Sequence, residues 1–405
     1  MQNKTQDLKH YSAAWIALLA LLTALGPLSI DMYLPALPQM AGDFGVSTQM
    51  MSNTLPAYFL GLAVGQLIYG PVSDRIGRKK PLYFGLSLYI AASVICYLAQ
   101  DEWSLIAARI LQALGGCVGV VIARAAIRDR LDMRASAQAF SSMMIVMGIA
   151  PIIAPTLGAW VLKFFSWHAI FGFLALSGLV CLICVHWFFK ETLPEERRLQ
   201  LSFRQALRLY AKVLKDKSFL APMLIGCFSG GILFCYISSS ASVLIELFGM
   251  SQQNFAYAFG FNAFGIMLLS TVNSRLVNKT SVFTRLFMGL TVQLLGVMLL
   301  LSLAVLQMHY LYAVLAGMFM TVAGIGFTGP NAMALAMSRQ GAQAGTASAL
   351  MGSMQFACGL LGGLILNVLL WNALFNMALL MLLFVAAAMA AFYWTKAAAG
   401  RRANV

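Results

Sequence analysis

The chain has 405 residues, of which 61% are hydrophobic and 10% charged, with a net charge of +14. An average soluble domain is about 25% charged, and even well-packed domains leave roughly a quarter of their surface in water. These values exclude a soluble enzyme, a disordered chain and a secreted disulfide scaffold, and leave a protein that crosses a membrane many times.

Apolar stretches predict spans at 13–35, 49–70, 81–99, 102–124, 137–163, 167–189, 219–241, 253–273, 284–306, 309–330, 346–369 and 371–395. Each is close to the ~20 residues a helix needs to cross the hydrocarbon core. The first runs into Ile30-Asp31-Met32-Tyr33-Leu34-Pro35 with no small-residue cleavage site, so it is expected to remain as a helix. With both termini cytoplasmic, the seven inner segments hold 2, 4, 4, 8, 3, 1 and 3 Lys or Arg in order, 25 of the 27. The other two are Lys163, near an outer end, and Arg109, inside a span. Positive charge is hard to translocate. The basic excess is therefore a signal of topology and of contact with anionic lipid, and no nucleic-acid partner is expected. The predicted fold class is an all-α membrane protein, twelve transmembrane helices in two pseudo-symmetric six-helix bundles.

Of the 13 acids, Asp31 alone is followed by several more residues of its own span; the rest fall at span ends or in loops. An ionisable group within a span is costly and marks function by default. A carboxyl holds its proton when dry and releases it when wet, which suits it to proton coupling. A second reading makes Asp31 an interfacial cap before the bend at Pro35. After span two comes Gly70-Pro71-Val72-Ser73-Asp74-Arg75-Ile76-Gly77-Arg78-Lys79-Lys80. Gly77 permits a tight turn, Asp74 can accept from a helix N-terminus, and Arg78 can grip a carboxylate with paired donors. Such bonds can latch one end of a bundle. The positive-inside rule explains the basic residues of this loop but not Asp74 or Gly77.

Arg109 lies about seven residues in from the outer end of span four, roughly 10 Å deep, at a height similar to Asp31. Two readings are open: it tunes Asp31 by charge, or it braces helices by bonding backbone carbonyls. Asp129 and Asp132 follow span four; Asp129 either meets Arg78 or pairs locally with Arg128 or Arg130. Pro151 and Pro155 are expected to bend span five. Cys181 and Cys184 lie three apart on one helix, but no second pair or His cluster accompanies them, so they read as packing and no metal site is expected.

The longest polar stretch, Lys190 to Ser218, contains Phe203-Arg204-Gln205-Ala206-Leu207-Arg208-Leu209-Tyr210, an amphipathic helix for the inner surface. It divides the chain into an N-terminal bundle (1–189), a cytoplasmic linker (190–218) and a C-terminal bundle (219–405). The halves carry an echo. Val72-Ser73-Asp74-Arg75-Ile76-Gly77-Arg78-Lys79 returns at an offset of 200 as Val272-Asn273-Ser274-Arg275-Leu276-Val277-Asn278-Lys279 after span eight, keeping Val, Arg and Lys. Duplicated halves are common in transporters, with the substrate site between them. Asp31, Tyr58, Gln112, Met147, Phe234, Tyr236, Asn262, Asn331 and Gln355 occupy central positions and are the candidates to line that site. A few polar groups in an apolar, Met-rich wall suit varied small molecules.

The loop motif resembles the signature of the major facilitator superfamily. Leu28-Ser29-Ile30-Asp31-Met32-Tyr33-Leu34-Pro35-Ala36-Leu37-Pro38 is similar to the first-helix signature of its Bcr/CflA drug-resistance family. Arg109-Ile110-Leu111-Gln112-Ala113-Leu114-Gly115-Gly116 resembles the fourth-span arginine motif. Ala150-Pro151-Ile152-Ile153-Ala154-Pro155-Thr156-Leu157-Gly158-Ala159 resembles the fifth-span antiporter motif, and Glu191-Thr192-Leu193-Pro194 also fits. There are two departures. The fifth-span motif usually reads Gly-Pro and then Gly-Gly, where this chain has Ala154-Pro155 and Gly158-Ala159; small residues still allow close contact. Some related exporters carry a second acid early in span one, and Leu19 to Leu25 holds none.

The resemblance, which covers the whole chain, implies the major facilitator fold and a monomer in the bacterial inner membrane with both termini cytoplasmic. It implies a transporter rather than an enzyme, with no cofactor. Its partners would be protons, lipid and small amphipathic antibiotics of the bicyclomycin, chloramphenicol and sulfonamide classes. It also implies a cytoplasmic gate of Gly70, Asp74, Arg75, Gly77 and Arg78, with Arg78 on Asp129, and Asp74 facing the first amides of span eleven near Ala344-Gly345-Thr346. In the expected cycle Asp31 takes a proton from outside, the neutral form turns inward, and drug and water release it. The rival expectation is a proton-coupled carrier of a nucleoside, sugar or amino acid, although sugar carriers usually need more polar pockets.

Overall fold

The computed structural model describes residues 13–131, 133–198, 203–340, 343–369 and 371–403. Among these are twelve helices long and apolar enough to cross a membrane. Spans 1 to 6 are Ala14–Phe44, Thr48–Ile76, Lys79–Tyr97, Glu102–Arg130, Ile145–Phe164 and His168–Phe188. Spans 7 to 12 are Lys217–Leu247, Gln252–Leu276, Val282–Val305, Leu311–Met337, Ala344–Val368 and Ala373–Ala398. All twelve predicted spans are present.

Local chemistry sets the ends. The carboxylate of Asp101 accepts the N–H of Ser104 (2.8 Å) and opens span 4. Asp216 does the same for Ser218 (2.9 Å) before span 7, and Ser281 for Thr284 (3.1 Å) before span 9. Span 1 runs past the predicted boundary at 35. Its α-helix Ala13–Asp31 passes through a 3-10 turn, Leu34–Ala36, into a second helix, Leu37–Phe44. The prolines stand in the first positions of these segments, where a missing N–H costs nothing. Asp31 consequently sits at a break inside a span rather than near its end. Span 7 closes on a π-helical turn, Ser242–Leu247.

Spans 2, 3 and 4 pack on one another, with 1, 5 and 6 around them; in the other bundle span 7 packs on 10, 11 and 12, and span 9 on 10 and 12. The bundles meet along two seams, span 2 against 11 and span 5 against 8. The predicted amphipathic helix is Phe203–Lys215. It buries Ala206, Tyr210 and Val213, and the Tyr210 hydroxyl donates to the Leu67 carbonyl of span 2 (3.0 Å). Burial pushes that hydroxyl up to about 12. The linker helix is thus fastened to both bundles, because it also packs on spans 7 and 11.

Candidate functional site

Asp31 is 3% exposed, and its Oδ1 has no hydrogen-bond partner among the described residues. Across the seam the Tyr236 hydroxyl of span 7 accepts from Asn262 Nδ2 of span 8 (2.8 Å). The helix break after Asp31 packs against spans 5, 7 and 8. In span 5, Gly158 makes this fit possible: a Cβ there would lie 1.7 Å from the Met32 carbonyl oxygen. Pro151 and Pro155 lie within the same helix, Met133–Phe164. Asp31 therefore faces the seam between the bundles, without a counter-ion among the described residues.

Arg109 is fully buried on span 4. Its Nη1 donates to Gln112 Oε1 (2.5 Å) and its Nη2 to the Ser29 carbonyl (2.8 Å). The guanidinium lies between the rings of Tyr33 and Tyr58, 4.4 and 4.2 Å from their centroids. Gln112 passes the contact to Ser93 (2.8 Å), and Ser29 Oγ meets the Tyr89 hydroxyl (2.7 Å). These are the contacts of the bracing reading, and no hydrogen bond or ion pair joins Arg109 to Asp31 among the described residues. Ser29 and Asp31 stand two residues apart, so about 200° separates their directions around the helix. Equal height does not bring them together: Ser29 points into the N-terminal bundle and Asp31 out of it.

The loop motif forms a second cluster, at the end of the molecule that carries the linker. Gly77 has φ +92°, in the left-handed region that favours glycine, and a Cβ there would lie 2.6 Å from Glu191 Oε2. Arg78 is buried. Its Nε donates to Asp129 Oδ2 (2.8 Å), its Nη2 to Asp129 Oδ1 (3.3 Å), and its Nη1 to Asp74 Oδ1 (2.5 Å) and Ser73 Oγ (2.7 Å). Burial works against its charge, but the two carboxylates outweigh that and raise its pKa. Asp129 also accepts from the Thr192 hydroxyl (3.1 Å). The expectation that Asp74 meets span 11 is corrected: it turns to Arg78, one helical turn away. Arg75 is exposed, and Gly70 lies beneath the Tyr210 hydroxyl. Asp132 lies outside the described residues.

Glu191 is the latch member that sequence reasoning left without a role. Its Oε1 accepts the N–H of Arg78 (2.9 Å), Thr192 (2.9 Å) and Leu193 (3.0 Å), and its Oε2 that of Lys79 (3.1 Å). Burial opposes the charge, but the four amides prevail and hold the carboxyl below the usual range. A depressed folded-state pKa gives stability that is complete above the ordinary Glu value, about 4.3, and lost as pH falls through the folded-state value. Hydrogen exchange should therefore show the amides of 78–79 and 192–193 protected at neutral pH and released by acid. Glu191→Gln should release them at neutral pH already; equal protection in both proteins would refute the assignment.

The bundles touch at both ends and in the middle. At the end opposite the latch, Gln49 Nε2 donates to the Leu366 carbonyl (2.8 Å) and Asn367 bonds Asn53. Toward the latch, Ser353 Oγ donates to the Ala63 carbonyl (2.7 Å). Between them Phe234 meets Phe59 and Phe356 at centroid distances of 4.4 and 5.3 Å, and Gln355 packs on Gly230. Tyr58 and Gln112 belong to the arginine cluster, Tyr236 and Asn262 to the Asp31 side, and Met147 is half-buried on the helix that contains span 5.

Asn331, a cavity candidate, is bonded within its own bundle. Its Oδ1 accepts from Arg285 Nε (3.1 Å) and its Nδ2 donates to Asn273 Oδ1 (2.7 Å). Arg285 Nη1 also donates to the carbonyls of Val277 (3.1 Å) and Thr280 (2.6 Å). The slot of the sequence echo is thus tied to span 10 by amides, as Arg78 ties the first copy to the end of span 4 through a carboxylate.

Two six-helix bundles, a latch between spans 2 and 4 and a buried acid on the seam define a membrane transporter. Residues 19–363 match the Major Facilitator Superfamily, and the chain belongs to that family. It is 34% identical over 344 residues to the uncharacterized MFS-type transporter YdgK of Bacillus subtilis, covering 84% of this chain and 85% of that one. It is 32% identical over 349 residues to the bicyclomycin resistance protein homolog of Haemophilus influenzae, covering 86% and 87%. Multidrug resistance protein MdtL of Escherichia coli is 30% identical over 338 residues, covering 84% of each chain. Among solved structures, a D-xylose-proton symporter superposes with a TM-score of 0.69 at 14% identity over 92% of this chain and 95% of that one. The human organic anion transporter MFSD10 gives 0.68 at 16% identity over 94% and 99%. At these identities the likeness shows the fold.

Proposed function

We propose that the protein is a proton-coupled exporter of small amphipathic antibiotics, working by alternating access in a bacterial inner membrane with the latch end cytoplasmic. One observation carries the reading: Asp31 is a buried carboxyl whose Oδ1 has no partner among the described residues, placed where the bundles meet. Losing its charge on protonation removes the cost of burying it in a closed seam. Regaining the charge favours a seam opened to water. The linked steps are then loading of Asp31 from outside, turning of the neutral form, release of the proton inward as drug and water enter, and return with the drug. Relatives named for drug resistance at 30–32% identity support the substrate class. The phenyl rings of Phe59, Phe234 and Phe356 offer an apolar surface between the bundles once they part.

The test is efflux from cells that express the chain, loaded with a chloramphenicol-type drug, with and without a protonophore. Export that the protonophore stops is the expected outcome. Uptake of a nucleoside, sugar or amino acid with no drug export would favour the metabolite carrier instead.

A further inference from the structure

At the end opposite the latch a cavity of about 100 Å³ opens between the bundles. Its walls include Gln49, Ser238, Glu246, Asn367 and Asn376. Glu246 is the one acidic residue after Asp216 in the sequence, and it stands on the π-helical turn Ser242–Leu247. Such turns frequently occur at functional sites.

The hydrogen bonds around this cavity are one-sided. Asn376 Nδ2 donates to the carbonyls of Leu369 (3.1 Å) and Trp371 (3.0 Å), which commits both its hydrogens. Asn367 Nδ2 is committed likewise, to Asn53 and to the Gly363 carbonyl (3.0 Å). Gln49 Nε2 is held by Leu366. What these amides retain is oxygen. Asn376 Oδ1 and Ser238 Oγ are buried without a partner among the described residues, and the two side chains are 4% and 5% exposed. Buried acceptors left unpaired are costly. A cavity that offers acceptors and a carboxylate, with the amide hydrogens of Asn367 and Asn376 already committed and hydroxyls free to rotate, is complementary to a positively charged ligand rich in N–H groups.

We propose that this cavity is a subsite for the protonated amine of a cationic amphiphile, with Glu246 supplying the charge and Asn376 Oδ1 and Ser238 Oγ accepting its N–H groups. Because Gln49 and Asn367 are also the residues that join the bundles at this end, an ammonium bound here sits at the gate and leaves when the gate parts. The inference deepens the export reading and rests on it for the direction of travel. The binding itself can be measured without transport.

The experiment is calorimetric titration of the purified full chain in neutral detergent with phenethylammonium chloride and, separately, with phenethyl alcohol, its uncharged analogue. Wild type should prefer the ammonium. Glu246 is exposed, so Glu246→Gln should weaken ammonium binding about two- to fivefold, the scale of a solvent-screened ion pair, and leave the alcohol unchanged, while Glu246→Asp should restore part of it. Ser238→Ala, which retains the charge, should weaken it several-fold and serves if Glu246→Gln does not fold. Equal loss for both probes, no preference in wild type, or displacement of the ammonium by equimolar sodium or potassium would overturn the proposal. A failure of drug efflux in cells with these binding differences intact would sink the export reading and leave the amine site standing.

Discussion

Asp31→Asn is expected to uncouple the protein: drug addition to the purified variant in detergent releases no protons, and cells that express it no longer accumulate drug outside against a gradient. The substitution preserves shape and fixes the neutral form that protonation gives the wild type. Each proton moved inward contributes about 2.3 kcal/mol per 100 mV of membrane potential, which sustains roughly a 50-fold concentration ratio, since each ~1.4 kcal/mol is tenfold. The variant should lose that factor for each proton it no longer carries. Downhill exchange of drug should survive, because neither the seam nor the aromatic surface changes. Drug-driven proton release at the wild-type rate would remove Asp31 from the mechanism.

Arg109→Lys should be nearly as damaging, for a structural reason. The guanidinium is flat, stacks between Tyr33 and Tyr58, and bonds Gln112 and the Ser29 carbonyl from separate nitrogens. A lysine ammonium has no face to stack and a single point of charge. Desolvated stacking contributes up to ~2 kcal/mol per ring, and each bond to a charged group about 1.5–3 kcal/mol. Allowing for the bonds that lysine re-forms, the loss is about 2–3 kcal/mol, a Tm lower by roughly 2–4 °C in a chain of this length. Span 1 would lose the anchor that fixes which way Asp31 points, so transport should fall more than tenfold even in the fraction that stays folded. A thermal scan in detergent together with efflux measures both; an unchanged Tm would show that the stack does not brace the bundle.

The sequence made the twelve spans legible because membrane crossing demands long apolar runs, and the distribution of Lys and Arg paired them. It also made Arg78 and Asp129 legible, since both lie at the same end of adjacent spans. What it could not convey is rotation about a helix axis. Asp31 and Arg109 were matched by height alone, and the break at Leu34–Ala36 lay hidden behind a continuous apolar run. Glu191 was visible only as part of a four-residue pattern: nothing in its spacing announces that four amides converge on it from two loops. The partners of Asn331 were hidden for a similar reason. A polar residue within a span can face the cleft or its own bundle, and the buried Arg285 that claims it lies 46 positions earlier.

The two copies of the inter-span slot are fastened by different chemistry. The first relies on ionised carboxylates, including Asp74, whose side chain is 40% exposed. The second closes through uncharged carboxamides around Arg285. Ionic contacts near water weaken as dissolved electrolyte rises and fail when their carboxylates are neutralised, whereas carboxamide contacts do neither. The duplicated fold has thus become mechanically lopsided. One copy of the slot is therefore responsive to the salinity and acidity of the solution at its end, and the other is held by contacts that neither disturbs.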